Sequence, residues 1–229
     1  MTALRLHGKP VSNYFNVVRA ALIEKQLDFE IVITSASQDA AFRARSPMGK
    51  VPLLETPHGW ISETVAILDY LDDAFPERSL RPANIAARAS GRQIINIVQM
   101  YVEAQVRSLF PGVFASAVNA PATVADVRAM LDRATAALAQ ILQPAPFLCG
   151  NAISHADLFV FYNLDIADRV TQFVYDRSII AETGTLGTWW PVMRERQGTK
   201  AIMADFEMYF ARYIIEHGGA YRADSLVSG

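Results

Sequence analysis

The stretch SPMGKVPLLETPHGWISETVAILDYL, Ser46 to Leu71, decides the fold. It reads as a Gly-Lys-Val-Pro turn, a short apolar strand, a turn at His58-Gly59, a second strand, and Ser62-Glu63-Thr64 opening an amphipathic helix. Two strands that feed straight into a helix N-terminus build an anion site, because the first N–H groups of the helix are unpaired and the positive end of its dipole faces the same way. Glu63 beside such a site is out of place for a simple anion, but fits a ligand that also carries an ammonium. A single ligand end with both charges is an α-amino acid head.

Working outward, Leu4 and Leu6 alternate with polar neighbours before Gly8 and Pro10, a first strand and its turn. Phe15, Val18, Ala21 and Leu22 recur at helical spacing to about Gln26, with Ser12 or Asn13 as N-cap. Phe29, Ile31 and Ile33 mark a second strand, and Gln38–Arg45 a short helix. The order β-α-β-α-β-β-α resembles that of the thioredoxin fold. Beyond it the strand pattern stops. Phe75–Pro82, with two prolines and three charges, reads as a linker. The expected division is an α/β domain over 1–78, a linker over 79–87 and an all-α helical bundle over 88–229. Ile94, Ile97, Val98, Tyr101, Val102 and Leu109 trace one long helix. Val124, Val127, Leu131, Ala134, Leu138 and Ile141 trace another, with Thr123 and Asp126 as its cap. Ser154 and Asp157 form a capping box before LFVFYNLDIA, apolar on nearly all sides and so expected at the centre of the bundle. A last helix through Ile202, Phe206, Tyr209, Phe210 and Tyr213 ends at Gly218-Gly219.

Composition narrows the function classes. The chain has 229 residues, a net charge of −2 and a single cysteine, Cys149. No basic field argues for nucleic acid. No apolar run reaches the ~18 residues needed to cross a membrane, and the first residues carry no secretory signal. One cysteine allows neither an internal disulfide nor a Cys-x-x-Cys site, and His7, His58, His155 and His217 have no metal-ligand spacing. They read as surface or capping residues. Asp72-Asp73 closes a helix without further role, Trp189-Trp190-Pro191 suggests a packed corner, and Tyr101, Arg107 and Phe110 suit core packing. A cytoplasmic protein without metal is expected.

The motif SPMGKVPLLE…SETVAILDYL resembles the glutathione-binding signature of the cytosolic glutathione transferases, Asn-Pro-x-Gly-x-Val-Pro-x-Leu followed by Glu-Ser-x-Ala-Ile. Ser46 stands in place of the usual Asn and Thr64 in place of Ser, which keeps the hydroxyl. The resemblance, of a serine type similar to bacterial members, implies a thioredoxin-like domain that binds glutathione and a helical domain with an apolar electrophile pocket. Glu63 would accept from the glutathione ammonium and Thr64 would hold its α-carboxylate. Val51, before a cis Pro52, would pair with the cysteinyl backbone, while Lys50 and, less directly, Gln38 would reach the glycyl carboxylate. A free thiol has a pKa of about 8.5 and needs a donor to form its thiolate at neutral pH. GKPVSNYFNVVRAAL resembles the family's Ser-x-x-x-x-x-Val-Arg pattern, which implies Ser12 as the first choice, with Tyr14 the rival. No cysteine stands at this turn, so reduction of mixed disulfides through an enzyme thiol is not expected. The implied activity is attack of the glutathione thiol on an apolar electrophile, or glutathione-dependent peroxide reduction, in a detoxifying homodimer with no cofactor beyond glutathione as co-substrate. The alternatives are a non-catalytic binding or assembly module on the same fold and a glutathione-dependent isomerase. The latter type carries Ser-Ser-Cys where this chain has Ser12-Asn13-Tyr14.

Overall fold

The computed structural model describes residues 4–221. The outer ends of the two expected domains, 1–3 and 222–229, lie outside the described residues. Four strands, β1 (Leu4–Gly8), β2 (Phe29–Ile33), β3 (Leu53–Thr56) and β4 (Gly59–Ser62), form one sheet in the order β2-β1-β3-β4. β1 runs parallel to β2, from Leu4 opposite Phe29 to Gly8 opposite Ile33. β3 is antiparallel to both β1 and β4. The parallel pair needs a crossover, and α1 (Asn13–Glu24) supplies it. α2 (Ala40–Arg43) follows β2, and α3 (Thr64–Ala74) leaves β4 after a single residue. The α/β half is therefore the expected thioredoxin-like order.

A 3-10 turn at Pro76–Arg78 leads to α4 (Ile85–Ile97), whose start falls inside the stretch read as linker. α4 runs without a break through a π-helical segment, Val98–Glu103, into α5 (Ala104–Arg107). α6 (Phe110–Phe114), α7 (Pro121–Ile141), α8 (His155–Tyr175), α9 (Ile179–Glu182), α10 (Leu186–Glu195) and α11 (Gln197–His217) complete the helical half. α7 starts at Pro121, so Thr123 and Asp126 lie inside its first turns rather than capping it. Proline at the first helical position needs no N–H partner and does that work instead. α8 is central, as its apolar sequence implies: Phe159, Phe161, Leu164 and Val170 are buried on different sides of it. Its capping residue Asp157 is fully buried and accepts from Ser154 N at 2.9 Å, Ser154 Oγ at 2.7 Å, Leu148 N at 2.8 Å and Trp189 Nε1 at 2.8 Å. Trp189 thus anchors α10 to the start of α8. Gly218 has a φ of 66° and ends α11 in the left-handed conformation that glycine adopts without strain.

α1 is the element common to both halves. It packs on β1 and α3 on one side and against α8 and α11 on the other, and a single apolar core runs through it. At its C-terminal end Lys25 is buried and spends all three ammonium protons. It donates to Asp72 Oδ1 at 2.7 Å, Phe75 O at 2.8 Å and Arg78 O at 2.9 Å. Asp72 also accepts from Leu80 N at 3.0 Å and faces His155 Nε2 at 3.2 Å. Burial opposes the charge on Asp72, but Lys25, His155 and the Leu80 N–H outweigh it and hold the carboxyl below its usual range. Asp72 is therefore a buried anchor, not an idle helix end. His155 is likewise not a surface residue: burial pulls its pKa down from 6.5 to about 4, against the pull of Asp72 and Asp69. His7 is buried too, 3.1 Å from Glu55 Oε2 and edge-on to the Trp60 ring.

Removing one partner of a buried pair leaves the other charge without compensation. Asp72→Ala is expected to cost about 3–5 kcal/mol in a urea unfolding curve. Between the His155 pKa of about 4 and its unfolded value of 6.5, the unfolded chain binds one more proton than the folded one. Stability therefore falls as pH drops through that window, by up to about 3 kcal/mol in all. His155→Gln is expected to flatten that slope, read from the urea midpoint at a series of pH values.

Candidate active site

The turn at Ser46–Lys50 is closed by one buried hydroxyl. Ser46 Oγ donates to Lys50 O at 2.8 Å and accepts from Lys50 N at 3.1 Å, so one serine side chain satisfies both backbone groups of Lys50. Gly49 has a φ of 66° and sits under Ser37 and Gln38; a Cβ on it would lie 2.4 Å from the Ser37 carbonyl oxygen. The Val51–Pro52 bond is cis. Val51 itself stands just before β3 begins at Leu53.

Across β3 and β4 the chain reaches Glu63, which holds φ 68° and ψ 115°. A non-glycine residue in this region is costly and persists where the surroundings dictate it. The kink turns the end of β4 into α3 within one residue and places Glu63 and Thr64 at the helix start. Tyr14, Ser46, Lys50, Val51, Pro52, Ser62, Glu63, Thr64 and Gln99 line one open cleft. The structure thus brings together Lys50, Val51, Glu63, Thr64 and Tyr14. Gln38 stands outside this set: it is exposed, and its Nε2 donates to Met48 O at 3.3 Å.

Ser12 does not itself line the cleft. It is the N-cap of α1, where its Oγ accepts from Phe15 N at 3.3 Å while Ser12 N bonds Lys9 O at 2.9 Å. Among the described residues its hydroxyl proton has no protein acceptor. Tyr14 differs in that its hydroxyl donates to Glu103 Oε2 at 2.8 Å. Burial, reinforced by the Glu103 charge, pushes the Tyr14 phenol well above its ordinary pKa.

Glu103, at the end of the π-helical segment, is 1% exposed and meets a network that sequence reading missed. Asn13 Nδ2 donates to Glu103 Oε1 at 3.1 Å and to Asn163 Oδ1 at 2.7 Å. Arg107 pairs with Glu103 and donates to Asn13 Oδ1 at 3.1 Å. Asn163 Nδ2 donates in turn to Phe159 O at 2.7 Å within α8. Arg107 and Tyr101 are not core residues: the Arg107 side chain is 43% exposed, and Tyr101 as a residue is 43% exposed. The Arg107 guanidinium lies 5.6 Å from the centre of the Tyr14 ring and 4.9 Å from that of Phe110. Asn163 carried a sequence signal, since an amide in an otherwise apolar central helix must be hydrogen-bonded. Glu103 carried little, because the wide π turn shifts the phase that ordinary helical spacing assumes.

Comparison with known proteins places the chain in a family. Residues 6–79 match the glutathione S-transferase N-terminal domain model and residues 121–191 the glutathione S-transferase C-terminal domain model. A glutathione S-transferase of Pseudomonas putida is 34% identical over 204 residues, covering 89% of this chain and 93% of that one. The chain belongs to the glutathione S-transferase family. A zeta class glutathione S-transferase of Euphorbia esula is 30% identical, covering 69% of this chain and 72% of that one. A probable elongation factor 1-gamma 2 of Arabidopsis thaliana is 32% identical over 145 residues; they span 63% of this chain and only 34% of the factor. Among solved structures, a glutathione S-transferase from Rhodospirillum rubrum superposes with a TM-score of 0.71 at 23% identity, covering 87% of this chain and 91% of that one. A Tau class enzyme from mango gives 0.73 at 21%, covering 93% and 99%. At these identities the structural likeness speaks for the fold.

The crowded left-handed turn at Gly49 offers a direct check on the cleft. Gly49→Ala is expected to destabilise the protein by about 1–3 kcal/mol, from the strained φ and the clash with the Ser37 carbonyl. It is also expected to displace Lys50 and Val51 with the turn, a change in the cleft that calorimetric titration with glutathione would read.

Proposed function

We propose that this family member is a glutathione transferase that activates the glutathione thiol through Ser12 for attack on an apolar electrophile. The observation that carries the reading is the convergence of Lys50, Val51, Glu63 and Thr64 on one cleft beside the first turn of α1. Glu63 accepts from the ligand ammonium. The Thr64 hydroxyl and the first N–H groups of α3 hold its α-carboxylate. Val51 pairs with the cysteinyl backbone as an added strand would, and Lys50 neutralises the glycyl carboxylate. The position of Gln38 over the Gly49 turn gives it at most an indirect part.

Of the two donors, Ser12 is favoured. Tyr14 commits its proton to Glu103, which leaves the phenol none to offer a sulfur anion. The Ser12 hydroxyl accepts from α1 and has its own proton to offer at the N-terminus of that helix, where a thiolate is also favoured by the dipole. One such donor with a helix end is enough to lower a thiol pKa by roughly two units, about 2.7 kcal/mol. Holding thiolate and electrophile together supplies the rest of the acceleration. The same reading makes glutathione the co-substrate with no further cofactor, and the working unit a cytoplasmic homodimer. Peroxide reduction by the same thiolate is a variant of it.

The similarity to elongation factor 1-gamma supports a second reading, a binding or assembly module that keeps the cleft without activating the thiol. Conjugation of glutathione to chlorodinitrobenzene, with a thiolate absorbance titration of the complex, separates the two. An unshifted thiol pKa in the complex would sink the enzyme reading. Ser12→Ala is expected to lower kcat by about 10- to 100-fold and to change the KM for glutathione by less than about threefold. Glu63→Gln is expected to do the reverse, raising that KM roughly tenfold through loss of a charge-assisted hydrogen bond.

A further inference from the structure

The residues that follow Ser12 are not held by the α/β half to which they belong. Asn13 and Tyr14 both donate to Glu103, at 3.1 Å and 2.8 Å, and Glu103 comes from the helical half. Asn13 is tied in addition to Asn163 on α8 at 2.7 Å. The first two residues of α1 are thus clamped from the side opposite the sheet, one position after the proposed thiol donor. We infer that Glu103 is a positioning residue for thiol activation, setting the place of the Ser12 hydroxyl through Asn13 and Tyr14. The inference rests on the Ser12 reading above.

Three features of the cluster fit this role. The carboxylate is buried and receives the protons of Asn13, Tyr14 and Arg107, so its position is fixed from several directions. The Arg107 guanidinium neutralises it. A bare carboxylate at this place would disfavour a thiolate nearby, whereas the paired one gives geometry without net negative charge. The π-helical turn at Val98–Glu103 is the local departure from regular helix that ends on this carboxylate. Such turns are frequent at functional sites. Errors of about 1 Å in a reacting group are enough to cost roughly 100-fold in rate, so a clamp on the residues next to the donor has leverage on turnover.

The test is Glu103→Gln, which keeps the shape and an acceptor but removes the ion pair, in the full-length protein. Turnover with chlorodinitrobenzene is expected to fall about tenfold or more, with the glutathione KM within about threefold, because Lys50, Val51, Glu63 and Thr64 are untouched. The pKa of the bound thiol is expected to rise. A purely through-space effect of the Glu103 charge has the opposite sign, since deleting a negative charge favours the thiolate. The double variant Ser12→Ala/Glu103→Gln is expected to be no slower than Ser12→Ala alone. A thiol pKa that is unchanged or lowered in Glu103→Gln, or a loss that multiplies in full with that of Ser12→Ala, overturns the clamp and leaves the Ser12 reading standing. Undiminished turnover in Ser12→Ala itself overturns both. If Glu103→Gln does not fold, Arg107→Gln, at a half-exposed side chain, takes its place. It is expected to lower turnover without raising the glutathione KM and to show the same non-additivity with Ser12→Ala, and normal turnover in it overturns the inference.

Discussion

Helix α1 is held at both ends by a buried charge, and the rest of the molecule is arranged about that constraint. At its C-terminal end Lys25 reaches Asp72 and two carbonyls, joining α1 to the end of α3 and to the turn that leaves the sheet. At its N-terminal end Asn13 and Tyr14 meet Glu103 from the helical half. Each charge is met by enough partners to offset much of its desolvation, so the pairs fix position more than they add stability. Sliding or rotating α1 would break both ends at once. The apolar core through Phe15, Val18 and Leu22 is non-directional and would tolerate such a shift far better.

The two halves consequently divide the work at the cleft. The sheet side supplies Lys50, Val51, Glu63 and Thr64 through rigid local devices: the Ser46 hydroxyl closing its turn, the left-handed Gly49, the strained Glu63. None of these depends on the helical half. The Ser12 turn does, because its neighbours are fastened there. On the proposed reading, binding of the peptide and activation of its sulfur therefore have separate structural supports, which is why their losses are expected in different kinetic constants.

Much of this architecture was legible in the residues. Strand alternation, the Ser46–Leu71 motif and the Ser154–Asp157 box lead to the observed order of elements, because each is a local pattern with a local cause. The cleft residues from Lys50 to Thr64 were legible for the same reason, being carried on one continuous turn, hairpin and helix start. What escaped was non-local. Lys25 with Asp72, and Asn13 with Glu103 and Asn163, are polar residues scattered along the chain, and no spacing announces that they meet. Glu103 was further disguised by the π turn, and Tyr101 and Arg107, expected in the core, turned out half exposed for the same reason. His155 was misjudged because a single imidazole at a helix start gives no sign that a buried carboxylate faces it.

The lone cysteine has a bearing on how this molecule can be observed. Cys149 is half-buried beside Gly91, where a Cβ would come within 2.8 Å of its sulfur, and burial raises its pKa while the Ser154 hydroxyl only partly opposes this. Burial thus disfavours its thiolate, the form that reacts with electrophiles. On the proposed reading, the thiol of the ligand would meet little competition from a nucleophile of the same kind. On the same reading, ultraviolet thiolate absorbance recorded near neutrality would report the bound tripeptide rather than the polypeptide, and a reactive second substrate would meet the cleft without first consuming the protein.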